Sequence, residues 1–413
     1  MGFLDRKSII YLTLIVALSV ALIAVCIDAY GGGTNDTGNP KTDAQKLNCE
    51  KASVTTATGS FVDRKAFCPG ELIFEDNFDE LNMDKWQHEH TLGGGGNGEF
   101  QYYLNHRDNS FVEDGILYIK PSFIGLEPGG EEYLKSGTLD INGGDPGNYC
   151  TNPSWNGCVR TGTPESILNP VKSARIRTAN SFSFKYGKLE IRAKLPSGDW
   201  MWPALWLMPR VNQYGTWPAS GEIDIMEARC NPNYFDESGV HIGTEQVLTT
   251  LHFGPNAWTN AYYTSTEPRN SASGQGFDKD FHLYQMEWTP DFMKISVDNE
   301  QLMLVEGNFW KRGNFDELAP GTRNPWISGT KMAPFDQEFF IIINLAIGGT
   351  QGYFPDEKYS NPKPKPWRNW TPVGEAMKAF WDKRDDWLPS WNIDENDGKD
   401  ASFQIDYVKV WAL

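Results

Sequence analysis

Three carboxylates fall within the short run Gly221-Glu222-Ile223-Asp224-Ile225-Met226-Glu227, whose other side chains are apolar and suited to a strand. In an extended chain Glu222 and Asp224 share one face, and Ile223 and Ile225 take the other. Glu227, five residues from Glu222, breaks that parity. One extra residue at Met226, a β-bulge, returns it to the polar face, and bulges recur where a strand must re-aim a side chain beside an active site. Like charges so close repel and raise at least one pKa, a cost with no benefit to a purely structural strand. Chemistry can use the arrangement. Cleaving a glycosidic bond with retention needs one ionised carboxylate as nucleophile and one protonated carboxyl as donor, roughly 5–5.5 Å apart. A third acid between them can share a proton with the nucleophile. A solvated acidic face or a cation site would show the same spacing. Trp200, Trp202, Trp206 and Trp217 just upstream favour the first reading, since flat aromatics are platforms for sugar rings, although tryptophans also bury large areas in cores.

The elements that must position these acids read as strands and turns. Lys188 to Leu195 alternates strictly, with Leu189, Ile191, Ala193 and Leu195 inward and the charges outward. Met293 to Asp298 alternates too and turns at Asn299-Glu300 into Leu302–Val305, a hairpin. Phe339 to Ile347 is a continuous apolar run, as expected of a strand covered on both faces, and Phe403 to Trp411 closes the chain. One helix is expected near Gly374–Trp387, with Met377, Phe380 and Trp381 on one stripe. Forty glycines and 25 prolines punctuate the connections. Many strands and little helix predict an all-β fold of two packed antiparallel sheets.

With these elements in place the motifs carry a resemblance. Trp217-Pro-Ala-Ser-Gly221 followed by Glu222-x-Asp224-x-x-Glu227 resembles the catalytic signature of glycoside hydrolase family 16, in its laminarinase branch, which has the extra residue before the second Glu. Ser173–Thr178, Phe184–Pro196 and Gly198–Leu207 upstream resemble the same family, as do Thr250–Pro255, Asn344–Gly349 and Ile405–Trp411 downstream. The likeness spans roughly residues 65–413 and is nearest to animal β-1,3-glucanases and the glucan-recognition proteins related to them. It implies a β-jelly-roll sandwich with a concave substrate cleft. It makes Glu222 the nucleophile, Glu227 the acid/base and Asp224 the helper beside the nucleophile. Asn97, Tyr102, Arg175, Trp200, Trp202 and Trp217 become candidate sugar contacts, with Arg175 equally readable as an ion pair in the cleft wall. His252, on the strand expected beside the catalytic one, is a hydrogen-bonder at the cleavage point or a structural histidine. No cofactor is required for the chemistry. A structural calcium is implied at Asp406, Glu75 and the carbonyl of Gly115; a plain ion pair at Asp406 is the alternative, since a strand carboxylate among apolar residues needs some partner.

Net charge bounds the partners. At −17 over 413 residues the chain is a poor ligand for nucleic acid or anionic membrane and suits a neutral polymer, with 13% aromatic residues available to bind it. A monomer is expected. Arg6-Lys7 precedes an uncharged, mostly apolar run from Ser8 to Ile27, long enough for either a cleaved signal peptide or a signal anchor. Both place the rest of the chain outside the cytosol. The expected divisions are 1–29 as signal or anchor, 30–66 as linker or arm, and 67–413 as the catalytic domain. Cys150 and Cys158 bracket a turn-rich loop and are expected to pair; Cys49 and Cys68 could clip the arm to the domain; Cys230 is left over as a buried apolar residue or a reactive thiol. Zinc has no C-x2-C pair to hold it. Asn35-Asp-Thr37 and Asn369-Trp-Thr371 match the N-glycosylation pattern. The activity expected is endo-β-1,3-glucanase with retention. The alternatives are a non-catalytic glucan-recognition protein, against which all three acids speak, and a transglycosylase; a mixed-linkage glucan is also open as substrate.

Overall fold

The alternation at Lys188–Leu195 becomes the middle of one sheet, with Leu189, Ile191 and Ala193 on the Gly187–Lys194 strand buried and its charged residues outside. The computed structural model describes residues 49–143, 149–356 and 360–413. The apolar N-terminal segment, Cys26 and the Asn35 sequon lie outside the described residues. Among those described, two large sheets stack. One runs in the order Glu300–Val305, Met293–Val297, His282–Trp288, Gly187–Lys194, Phe403–Trp411, Ile116–Ile119 and Ser110–Glu113, with Leu72–Asp76 also on Phe403–Trp411. The other runs Thr56–Thr58, Ser183–Lys185, Phe339–Ile347, Met201–Pro209, Glu222–Glu227, Gln246–His252 and Thr266–Asn270, with Arg175–Arg177 also on Phe339–Ile347 and Gln87–His88 on Arg175–Arg177. Pairing within both is antiparallel; Gln101–Tyr103 and Val171–Ser173, in a small third sheet, run parallel. This is the jelly-roll sandwich.

The inward faces make one core. Phe184 and Phe339 of the second sheet meet Trp288 of the first, each at 5.6 Å between ring centroids. Burying a large apolar side chain stabilises by about 1.5–3 kcal/mol over leaving it in water, which is why strict alternation fixes the face. Phe339–Ile347 is buried almost throughout, as its unbroken apolar run requires. The hairpin forms one residue earlier than expected: Asp298 and Asn299 take positive φ (52° and 67°) between the strands, the conformation a two-residue turn demands of its central pair. The helix near Gly374–Trp387 is two helices, Val373–Asp382 and Arg384–Trp387, and Met377, Phe380 and Trp381 are its buried stripe.

The arm differs in part from its composition. Thr56–Thr58 pairs antiparallel with Ser183–Lys185, and Cys49 is bonded to Cys68. Edge pairing uses main-chain groups, so a polar segment can dock without an apolar signature. Cys150–Cys158 is also bonded, across eight residues. A Cys150→Ser/Cys158→Ser double variant should lose about 2.5 kcal/mol of stability by the loop-closure relation. Urea denaturation checks this, and an unchanged midpoint would refute it. Cys230 is fully buried, and burial pushes its thiol well up, so it is the apolar alternative that the structure realises.

Candidate active site

Glu222–Glu227 lies between Met201–Pro209 and Gln246–His252. Its register slips by one residue against both neighbours: Trp206 opposes Asp224 while Leu205 opposes Met226, and Thr250 opposes Asp224 while Leu248 opposes Glu227. This is the bulge, with Ile225 rather than the expected Met226 as the extra residue against Met201–Pro209. Ile223, Ile225 and Met226 are buried in the core, and Glu222, Asp224 and Glu227 belong to the opposite face. Gly221 (φ +83°) makes the turn into the strand; a Cβ there would strike Phe335 at 2.8 Å.

Each acid has its own environment. Glu222 is half-buried, and an oxygen of it accepts from Trp217 Nε1. Glu227 is half-buried, and its Oε1 accepts from Trp202 Nε1 at 2.8 Å. Trp202 is in turn stacked flat on Tyr353, 3.7 Å between centroids and 4° between planes, and the Arg229 guanidinium lies 4.5 Å over the same tyrosine ring. Asp224 is 3% exposed and has its Oδ2 3.2 Å from His252 Nε2. One polar atom each of Glu222, Asp224 and His252 lie within 4.8 Å of one another.

The electrostatics follow from burial and crowding. Burial, then the charges of Glu222 and Glu227, push the Asp224 carboxyl well above the usual range. Burial also raises Glu227, against the opposing pull of His252 and the Trp202 N–H. For His252 burial favours the neutral ring, but the Glu222, Asp224 and Glu227 carboxylates override it and lift the imidazole to about 9. Asn260 Nδ2 stands 2.7 Å from His252 Nδ1 and its Oδ1 is buried without a partner, so a half-turn of the amide gives the imidazolium N–H an acceptor. His252 thus binds its proton more tightly folded than unfolded, where it titrates near 6.5. The stability this adds is complete below 6.5 and lost as pH rises through about 9. Melting temperature should therefore fall with pH across that window, and less steeply in His252→Gln. Equal slopes in the two proteins would contradict the assignment.

The expected sugar contacts divide. Trp217, 39% exposed, and Trp202 stand at the acids, Trp202 chiefly as the hydrogen-bond donor to Glu227. Asn97 is half-buried on the loop beside Trp202: Gly349 separates them, with Asn97 O and the Trp202 ring both within 4 Å of where its Cβ would be. Arg175 is the ion pair. It is 7% exposed, 3.4 Å from Glu89 and 3.7 Å from Glu99, and its guanidinium packs over Trp206. Tyr102 is a core residue, not a contact; strand parity sends its neighbour Tyr103 instead to Glu99 and Arg175. Trp200 is also core. Its positive φ (70°) takes it off the parity of Trp202, and Tyr234, Phe354 and Trp367 box it edge-on at 5.2–5.8 Å.

The residues expected to hold calcium sit on the other sheet and its hairpin. Asp406 pairs with Arg192, and Glu75 with Lys409 Nζ at 2.9 Å. Side chains thus supply a partner to each strand carboxylate here, as the ion-pair alternative expects. Gly115 lies in the turn between Ser110–Glu113 and Ile116–Ile119, at φ +76°. Asn369 is engaged as well: its Nδ2 donates to the Phe354 carbonyl at 2.9 Å, a bond that a glycan on that nitrogen would have to break.

Reading the sequence missed Trp206 as part of the Arg175 assembly and missed three aromatics, Trp258, Tyr262 and Tyr263, that are 96%, 47% and 59% exposed. A signal was there: the segment Gly254-Pro-Asn-Ala-Trp-Thr-Asn-Ala-Tyr-Tyr263 places large rings among turn-formers, with no period that would bury them.

Comparison with known proteins gives the same reading of the fold and family. The family model for glycosyl hydrolases family 16 matches residues 156–322. A β-1,3-glucan-binding protein of Penaeus monodon is 47% identical over 346 residues, 83% of this chain and 90% of that protein. Glucan endo-1,3-beta-glucosidase A1 of Niallia circulans is 34% identical over 288 residues, 67% of this chain and 34% of that one. A solved structure from work on endo-acting O-glycanases of human gut microbiota, 23% identical, superposes with a TM-score of 0.50 over 83% of this chain and 91% of its own, a likeness of fold. The chain belongs to glycoside hydrolase family 16, in the laminarinase-like branch that includes β-1,3-glucan-binding proteins.

Proposed function

We infer that this protein is a retaining endo-β-1,3-glucanase. The observation that carries the reading is the bulged strand itself: Glu222, Asp224 and Glu227 are all present and belong to one face, with Trp217 on Glu222 and Trp202 on Glu227. The environments divide the labour. Glu227, whose carboxyl burial raises, gives its proton to the glycosidic oxygen while a Glu222 oxygen attacks the anomeric carbon and the glycosidic bond breaks. The glycosyl group is then an ester on Glu222. Glu227, now a carboxylate, takes a proton from water as that water attacks the same carbon and releases Glu222. Two inversions leave the configuration as it began. The raised Asp224 carboxyl can carry a proton beside Glu222 and donate to it, and His252, 3.2 Å from Asp224, offsets negative charge in the cluster.

A second reading has a specific basis, since the Penaeus monodon relative is named for binding glucan. Incubation with laminarin, curdlan and lichenan while reducing ends are followed separates the two. Release from laminarin supports hydrolysis, and binding without release makes this a recognition protein. Lichenan cleavage extends the substrate to mixed linkages. Two disulfides fit an oxidising compartment, and we place the protein's action outside the cell.

A further inference from the structure

The catalytic strand divides its sheet unequally. The Met201–Pro209, Phe339–Ile347 and Arg175–Arg177 strands lie to one side, with Trp202, Trp206 and the Asn97 loop. To the other side are Gln246–His252 and Thr266–Asn270. A polymer cut at an internal bond must be held on both sides of Glu222, so this second side needs its own binding surface.

A run of rings leads there. Trp217 lies 5.7 Å from His252, His252 stacks on Tyr262 at 5.4 Å and 28°, and Tyr262 meets Tyr263 at 6.1 Å. The run begins at Glu222, which accepts from Trp217, and opens into solvent at Tyr262 and Tyr263. Trp258 stands four residues before Tyr262 and is 96% exposed. Single exposed apolar residues are ordinary. Here three large rings fall within six residues, and two of them, Tyr262 and Tyr263, continue the run that starts at Glu222.

The backbone beneath them is pinned. The Asn256 side chain caps the turn Ala257–Thr259 by accepting from Trp258 N–H at 3.0 Å. Ala261 N donates to Phe253 O at 2.8 Å, and Thr266 Oγ1 to Tyr262 O at 3.0 Å. Gly254 is folded so close to Thr259 that a Cβ would sit 2.4 Å from its carbonyl oxygen. A fixed main chain thus holds an indole that the fold leaves outside. The segment itself is poor in charge: in a chain with 22% charged residues, no Asp, Glu, Lys or Arg occurs from Gln246 to Thr266, although Arg312 reaches Ser265 from outside it. Its uncharged hydroxyls and amides beside flat rings match the two faces of a sugar.

We propose that Trp258, Tyr262 and Tyr263 form a platform that binds further glucosyl units of a neutral β-glucan chain, beyond those flanking the cleaved bond. The proposal rests on the glucan-directed reading of the acids, and it predicts a preference for long chains that the acids alone do not.

The test is affinity in a Glu222→Gln background, measured by calorimetry with laminarin and with laminaritriose, so that cleavage does not intervene. Trp258→Ala should weaken laminarin binding about tenfold relative to its effect on the trisaccharide, and Trp258→Phe should restore most of it. Trp258 is exposed, so the fold is not at stake. If Trp258→Ala leaves the laminarin-to-trisaccharide ratio within twofold, or weakens both equally, the platform is wrong while the reading of the acids stands. If the parent variant binds neither sugar and the wild type releases no reducing ends, that reading falls and the platform with it.

Discussion

Glu227→Gln should lower kcat on laminarin roughly 10²–10⁴-fold, the range in which a positioned general acid acts. Gln keeps the shape and can still meet Trp202 Nε1 through its carbonyl oxygen, so fold and glucan binding should persist. The loss should depend on the leaving group. An aryl glucoside with an acidic phenol departs without a proton, so its first step should be nearly normal in Glu227→Gln, and the stalled ester should be intercepted by added azide. Glu222→Gln should show neither behaviour. Without the nucleophile there is no ester to intercept, and the loss should be roughly 10⁴-fold or more on all substrates, the scale seen when a covalent nucleophile is removed from other hydrolases. Half the activity surviving in either variant would remove that residue from its role.

Trp200→Ala should be the most destabilising single change near the site, by about 3–5 kcal/mol, because an indole with three aromatic walls leaves a cavity that they cannot close. Its buried Nε1 has no hydrogen-bond partner, so the loss is one of packing. The midpoint of urea unfolding reads it directly. If the variant does not fold, Trp200→Phe should show a smaller shift in the same direction. A variant with unchanged stability and lost glucan affinity would return Trp200 to the sugar contacts.

The contrast between Trp200 and Trp202 indicates what a sequence conveys. Alternation is a local physical rule, so the strand at Lys188–Leu195, the covered strand at Phe339–Ile347 and even the bulge before Glu227 could be read from residue parity. Parity fails where the backbone leaves the extended region. The left-handed turn at Trp200 has no mark in its side chain. Adjacent tyrosines are also ambiguous until pairing is known: Tyr102 and Tyr103 differ only in which face each takes. Partners on other strands are invisible for a different reason. Arg192 reaches Asp406 because their strands are neighbours in a register fixed by the whole sheet, 214 residues apart in sequence. The aromatic platform escaped notice because turns have no periodicity, and exposure is known only once the core is full.

The central claim is that Glu222 and Glu227 cleave with retention, and the anomer first released tests it most directly. Proton NMR of a laminari-oligosaccharide digest, recorded before mutarotation, should show the β-anomer appearing first and the α-anomer growing in later at the uncatalysed rate. An α-anomer formed first would mean direct attack by water, and would contradict the assignment of Glu222 as nucleophile.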